Sequence, residues 1–214
     1  MLLFILFPIV LSQTQVCQTS DFNSGYKKGD HIVLCLFFQT ADNQQYRQVY
    51  QLKVDQYTAL LVSGAYQTLS SKQSNLWANS GSISTVYGTP YTQSGGAFPI
   101  QSIVVQMIQG SVIDVFWDNV CFDGSQCKEN SITTTTGQSV SENNDFVTSC
   151  SGGACDPKVY VSFLGTDANG QYFTSNGIRM SKFRQYSAAQ IFTNTQNAFN
   201  SVIDEYSNYT ISTK

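Results

Sequence analysis

The chain has 214 residues, of which only 12% are charged, and it carries a formal net charge of −3 with a pI near 4.9. The charged fraction is about half the usual globular value, so the fold depends little on ion pairs. An acidic chain with few Lys and Arg residues also argues against nucleic acid or an acidic membrane surface as its partner.

The N-terminal segment is predicted to be a secretory signal peptide. Residues 2–11 are apolar apart from the interruption at Pro8. A secretory h-region needs about 7–15 such residues, whereas a membrane-spanning helix needs roughly 20. Val10 and Ser12 offer small side chains before a cleavage site, which predicts that residues 1–12 are removed. The n-region lacks Lys and Arg, so an amphiphilic first strand is the alternative.

Residues 13–214 are predicted to form one secreted domain. About 200 residues are normal for a β-sandwich or barrel and suffice to bury a core. No second long apolar run follows, and residues 208–214 are polar, which argues against a stop-transfer helix and a GPI signal. We therefore expect an extracellular or cell-surface protein with no membrane span in the mature chain.

The cysteines predict three disulfides. They are Cys17, Cys35, Cys121, Cys127, Cys150 and Cys155. All lie after the proposed cleavage site, and an even number in an exported chain indicates full pairing. We predict pairing of the first two, and favour local pairing of the last four over crossed pairing. Zinc is the alternative for the last four, but their spacings miss the two-residue knuckle, so no metal or cofactor is expected.

Strand patterns dominate the chain and predict a mainly β fold, either an antiparallel sandwich or a barrel-like sheet. His31–Gln39 is a nearly continuous apolar run, typical of a buried central strand. Arg47–Asp55 alternates and is expected to return beside it as a hairpin. Pro99–Gln109 and Ser111–Trp117 are expected to be core strands joined by a bend at Gly110.

The pattern of Gln56–Leu69 fits both a helix and a strand, so this segment is left unassigned. Lys158–Asp167 leads into Asn169-Gly170 and out through Gln171–Thr174, which predicts a β-hairpin.

Ser187–Tyr206 has a helical period. Its apolar residues fall at spacings of three and four, and Ser187 with Gln190 forms a capping box. The stripe consists of Ala188, Ile191, Phe192, Thr195, Phe199, Val202, Ile203 and Tyr206. This predicts a C-terminal amphipathic helix packed on the sheet, with an α+β class as the alternative. Docking into the groove of a partner is the other use of such a face.

Two stretches rich in Ser, Thr, Asn and Gly, residues 70–96 and 118–156, are predicted to be long surface loops. The second contains four of the cysteines, whose disulfides would either fix its surface for recognition or protect it from proteases. Large aromatic residues in such loops are either exposed contact groups or anchors onto the core. The candidate contact residues are Trp77, Tyr87, Tyr91 and Phe122.

The sequence shows no convergent catalytic set. His31 is the only histidine and begins an apolar strand, and no G-x-S-x-G elbow is present, so we expect a structural role for it. Asp114, Asp118 and Asp123 are the candidate acids of a glycosidase. The first two are four residues apart on a strand, about 13 Å, which is too far for that pair to act alone.

The favoured prediction is a secreted, non-catalytic structural or adhesion module that binds an extracellular protein or glycan. Abundant Tyr and amide side chains suit contact formation. The alternatives are a carrier, which an aromatic-lined cavity of about 300–1,000 Å³ would favour, and a carboxylate-dependent hydrolase. Asn208 lies in an Asn-Tyr-Thr sequon and is the expected glycosylation site.

Overall fold

The computed structural model describes residue 17 and residues 24–81, 83–84, 87–118, 121, 126–133 and 137–177. The predicted signal peptide at 1–12, Phe122, Asp123, the predicted helix Ser187–Tyr206 and Asn208 lie outside these residues. The elements are β1 His31–Thr40, β2 Gln45–Lys53, β3 Thr58–Leu61, α1 Ala65–Leu69, β4 Ser74–Ser80, β5 Ile83–Ser84, β6 Thr89–Gln93, β7 Gly96–Ala97, β8 Ile100–Ile108, β9 Ser111–Asp118, β10 Cys127–Thr133, β11 Ser139–Asp145 and β12 Lys158–Gly165. The prediction of a mainly β fold is confirmed.

A six-stranded antiparallel sheet is built around the apolar strand β1. Its order is β2-β1-β4-β6-β7, with β5 paired to β4. β1 and β2 form the predicted hairpin, and Asn43 in its turn adopts a φ of 62°, a left-handed conformation that Asn tolerates. The predicted central strand and its antiparallel return are both confirmed.

A four-stranded sheet has the order β3-β12-β8-β9. β8 and β9 pair antiparallel across Gly110, as predicted. β12, in contrast, lies between β3 and β8 and runs parallel to β8. The predicted hairpin at Asn169-Gly170 forms as a short one: Thr166 bridges Tyr172 antiparallel, and the Phe173 N–H donates to the Gly165 carbonyl at 3.0 Å. The hairpin does not extend along β12, because both edges of that strand are paired with distant strands.

The inward-facing side chains of both sheets form one hydrophobic core. It includes Leu34, Leu36, Phe38, Leu52, Leu76, Tyr91, Ile103, Val105, Met107, Val115, Val159, Val161 and Phe163. The opposite face of β1 is also covered, because Val33 and Cys35 pack with Cys17 in a second small cluster. Burial on both faces explains why β1 reads as a continuous apolar run instead of an alternating one.

The two predicted long loops contain strands. Residues 70–96 include β4, β5 and β6, and residues 118–156 include the β10–β11 hairpin. These strands have small polar side chains in place of apolar ones, and their hydroxyl groups form hydrogen bonds inside the fold. The hydroxyls of Ser74 and Thr92 lie 2.8 Å apart, and the Ser80 hydroxyl donates to the Val33 carbonyl at 2.9 Å. Their composition therefore resembles that of loops although their hydroxyls are buried.

All six cysteines are paired locally, as predicted. Cys17–Cys35 ties the N-terminal segment to β1, Cys121–Cys127 lies at the start of β10, and Cys150–Cys155 lies between β11 and β12. None of the helices in the described part of the chain has the length and hydropathy that a membrane crossing requires.

Candidate functional site

Of the aromatic residues predicted as contact groups, the three that the structure describes are partly or fully buried. Trp77 in β4 is partly buried, and the backbone of Gly88 lies against its indole so closely that a Cβ there would be 2.6 Å from Nε1. Tyr87 packs on the main core, and its carbonyl accepts from Trp117 Nε1 at 3.2 Å. Tyr91 is fully buried. A contact role for Tyr91 is therefore wrong, and Phe122 lies outside the described residues.

Tyr91 stabilises the domain through its hydroxyl, which donates to the Cys155 carbonyl at 2.9 Å while its ring packs edge-on against Phe38. Tyr91→Phe should lower the free energy of unfolding by about 1–3 kcal/mol, because it leaves a buried carbonyl without a partner. Urea unfolding with an unchanged m-value would measure this loss. The matched control is Tyr172→Phe at an exposed tyrosine, and equal stability of both variants would contradict the prediction.

The candidate catalytic residues do not meet in the described part of the chain. Asp114 and Asp118 lie on β9, where Asp114 accepts from the Val115 N–H at 2.8 Å and Asp118 is paired in register with Ser102. His31 is exposed at the start of β1, in the other sheet. Among the described residues, no group of three His, Cys, Asp or Glu side chains is placed to hold a metal ion.

A buried polar face lies on the β10–β11 hairpin instead. The pairing sets Asn130 opposite Glu142 and Lys128 opposite Asn144, so these four side chains share one face. Glu142, Asn130 and Asn144 are buried. Burial of the Glu142 carboxyl group has an energetic cost, because desolvation of an ionised carboxylate is expensive.

Glu142 is held by neutral donors. Thr89 Oγ1 donates to Oε2 at 2.6 Å, and Asn144 Nδ2 reaches the same oxygen at 3.5 Å, while Oε1 has no hydrogen-bond partner among the described residues. Burial raises the pKa of Glu142, although hydrogen bonds from Thr89, Tyr87 and Asn144 oppose that effect. Burial, with a contribution from Glu142, raises the pKa of Tyr87 to about 12. Burial at this position therefore favours the neutral, protonated forms of Glu142 and Tyr87.

Beside Glu142, the side-chain amides of Asn130 and Gln93 connect the buried face to the exposed Lys128. Gln93 Nε2 donates to Asn130 Oδ1 at 3.1 Å, and Gln93 Oε1 accepts from Lys128 Nζ at 2.8 Å. The Lys128 ammonium also lies 4.4 Å from the centre of the Phe146 ring. This geometry holds a charged side chain in place beside an aromatic ring.

A groove of about 390 Å³ opens at this position. It is lined by Gln126, Cys127, Lys128, Phe146, Val147, Thr148 and Ser149. Val147 exchanges backbone hydrogen bonds with Ala97 at 3.0 and 2.9 Å, and the Phe146 ring packs 4.9 Å from that of Phe98. A Cβ at Gly96 would overlap the Val147 carbonyl oxygen, so glycine permits this close approach. The groove is thus fixed to β7 by backbone pairing.

The described lining of the groove offers exposed, neutral polar side chains. Gln126, Thr148 and Ser149 are exposed and offer neutral hydrogen-bond donors and acceptors. Among the described residues, the lining includes no carboxyl group and no histidine.

Comparison with known proteins gives one similarity. A family model described as "Uncharacterised protein DDB_G0273449" matches residues 97–199. No curated protein and no solved structure matches the chain. The matched range begins in β7 and contains the β10–β11 hairpin and every residue that lines the groove.

Sequence reasoning missed the residues of this site, namely Gln93, Lys128, Asn130, Glu142 and Phe146. A weak signal exists, because Ile132 and Val140 flank a Thr-rich stretch that ends at Gly137, as in a hairpin with a longer turn. No pattern in the sequence indicates that Glu142 faces inward.

Proposed function

We propose that this protein is a secreted, non-catalytic binding module of the extracellular space or cell surface, and that the groove beside the β10–β11 hairpin is its contact site. The observation that carries the proposal is the bracing of that groove. One lining residue, Cys127, is in the Cys121–Cys127 disulfide, and the lining ends at Ser149, next to the Cys150–Cys155 disulfide. A contact surface ordered during folding loses little entropy when it binds its ligand.

A glycan is the ligand class that this groove favours. Amide and hydroxyl side chains both donate and accept, which matches the hydroxyl groups of a sugar. The core of a protein interface favours large aromatic residues, whereas the described residues of this lining include one, Phe146, which is partly buried and lies beneath the Lys128 ammonium. We therefore place a neutral polyhydroxyl ligand ahead of an extracellular protein.

A binding module is also preferred to the two alternatives. A carrier would enclose its ligand among aromatic residues, whereas this groove is open and its described lining contains one ring. A carboxylate-dependent hydrolase would need two acids that flank the scissile bond. The proposal includes export through cleavage of residues 1–12, glycosylation at Asn208, and a C-terminal helix over Ser187–Tyr206 that packs on the domain.

Filling the groove tests the proposal. The exported, oxidised protein is applied to a glycan microarray, and the affinity for the glycans it retains is then measured by calorimetry. Ser149→Trp places an indole in the groove at an exposed position, and should weaken binding at least about 10-fold by displacing the ligand. Ser71→Trp, at an exposed position after α1, is the matched control and should bind as the wild type does.

Two results would overturn this proposal. Failure of the wild-type protein to retain any glycan would remove the ligand class. Equal binding by Ser149→Trp and wild type would remove the groove as the contact site.

A further inference from the structure

The four-stranded sheet carries an exposed apolar patch at one end. Its members are Ile108 (53% exposed), Ile113 (42%), Leu164 (39%) and Tyr172 (77%). Leu164 is paired in register with Gln106, two positions from Ile108 on the same face of β8. Ile113 is an extra residue in β9, because Met107 pairs with Val112 and Gln106 with Asp114. Tyr172 is bridged to Thr166, just after β12.

The patch belongs to the face of the sheet that points away from the core. On β8 the core side chains are Ile103, Val105 and Met107, so Val104, Gln106 and Ile108 lie on the opposite face, where Val104 is buried and Ile108 is exposed. An exposed cluster of large apolar side chains on a monomer is typical of an interaction surface.

We propose that residues 187–206 of this same chain dock as an amphipathic helix on the outer face of the four-stranded sheet and cover this patch. The described chain reaches that face just before the segment begins. Ser175 bonds to the backbone of Phe163, with Phe163 N donating to Ser175 Oγ at 2.8 Å. The Ser162 hydroxyl lies 3.4 Å from Asn176 Oδ1. The chain is therefore attached to β12 next to Leu164 when it leaves the described part at residue 177.

The charges near the start of the segment complement those of the sheet. Arg179, Lys182 and Arg184 lie within a span of six residues in a chain that has 11 Lys and Arg in total. The outer face of β9 carries the partly buried Asp114 opposite Gln106, and Asp118 opposite the buried Ser102. β9 is two strands from β12, about 10 Å, a distance that residues 178–184 span easily.

The apolar stripe of the segment fits the patch in size. A helix of 20 residues is about 30 Å long, which matches the length of a nine-residue strand such as β8. The family model that matches residues 97–199 covers β8, β9, β12 and most of this segment together, as expected for elements of one structural unit.

Hydrogen exchange of the full-length protein tests this proposal. Peptides from residues 187–206 should be protected in the wild type. In the double variant Ile108→Thr, Leu164→Thr, which places a β-branched strand former at both positions, their protection should fall at least about 10-fold, because exposing one buried leucine has an effect of this size. Tyr46→Thr, at the exposed aromatic residue of the six-stranded sheet, is the matched control and should leave the segment protected.

A variant on the segment side separates docking from general loss of structure. Phe192→Ser should lower protection of residues 187–206 while leaving that of β1 unchanged. Rapid exchange of the segment in the wild type would overturn the proposal, and so would protection that the double variant does not alter. Light scattering that shows a dimer, dissociated by the double variant without faster exchange of the segment, would assign the patch to a second copy.

Discussion

Gly165→Ala is expected to be the most destabilising single methyl addition in the described part of the molecule. Gly165 ends β12 at a φ of 116°, a conformation that L-residues rarely adopt. A Cβ there would overlap the Met107 carbonyl oxygen and lie 2.9 Å from its carbon. Backbone strain and overpacking together should cost about 2–6 kcal/mol, a large share of the stability of an ordinary domain.

Gly170→Ala is the matched control for this substitution. Gly170 also has a positive φ, 77°, but no atom lies within 4 Å of the position of its Cβ. The substitution Gly170→Ala should therefore lower the free energy of unfolding by only about 1–2 kcal/mol, from backbone conformation alone. Urea unfolding of both variants measures the difference, and equal losses would show that the contact with Met107 is not limiting.

Glu142→Gln should remove a pH dependence from the stability of the domain. Burial raises the pKa of Glu142 in the folded state, so its contribution is complete below the unfolded pKa of about 4.3 and is lost as the pH rises through the folded value. The neutral amide of the variant does not ionise, so it loses no stability as the pH rises. The stability of the variant relative to the wild type should therefore increase with pH, by about 1.4 kcal/mol for each unit of pKa difference.

Urea unfolding of both proteins from about pH 4 to pH 8 measures this trend. Glu129→Gln removes a carboxyl group from the exposed face of the same hairpin, and so tests whether loss of any negative charge gives the same result. Parallel profiles for Glu142→Gln and the wild type would contradict the assignment of the pH dependence to this group.

The parts of the fold that were predictable are those in which apolar side chains report burial directly. β1, β8 and β9 have long apolar runs or clear alternation, and their positions and their hairpins were predicted to within a few residues. The local disulfides were predictable because spacing in the sequence limits which sulfurs meet. In each case a physical constraint acts between residues close in sequence.

The rest depends on contacts between distant segments. β4 and β6 bury hydroxyls that pair with each other or with a backbone carbonyl, so their composition suggests loops. The groove and the buried Glu142 arise where the β10–β11 hairpin packs beside Thr89, more than fifty residues away in sequence. The partners of β12 likewise follow from tertiary packing and not from the Asn-Gly turn that follows it.

The position of β12 between β3 and β8 has a consequence for synthesis of the chain. All strands of the six-stranded sheet have been made by Ala97, whereas within the described residues β3 pairs only with β12, about 100 positions later. At usual elongation rates β3 lacks its partner strand for about 5–20 s, with neither edge paired. During that interval the nascent chain exposes strand edges to other chains, so its yield should depend on chaperones more than on its final stability.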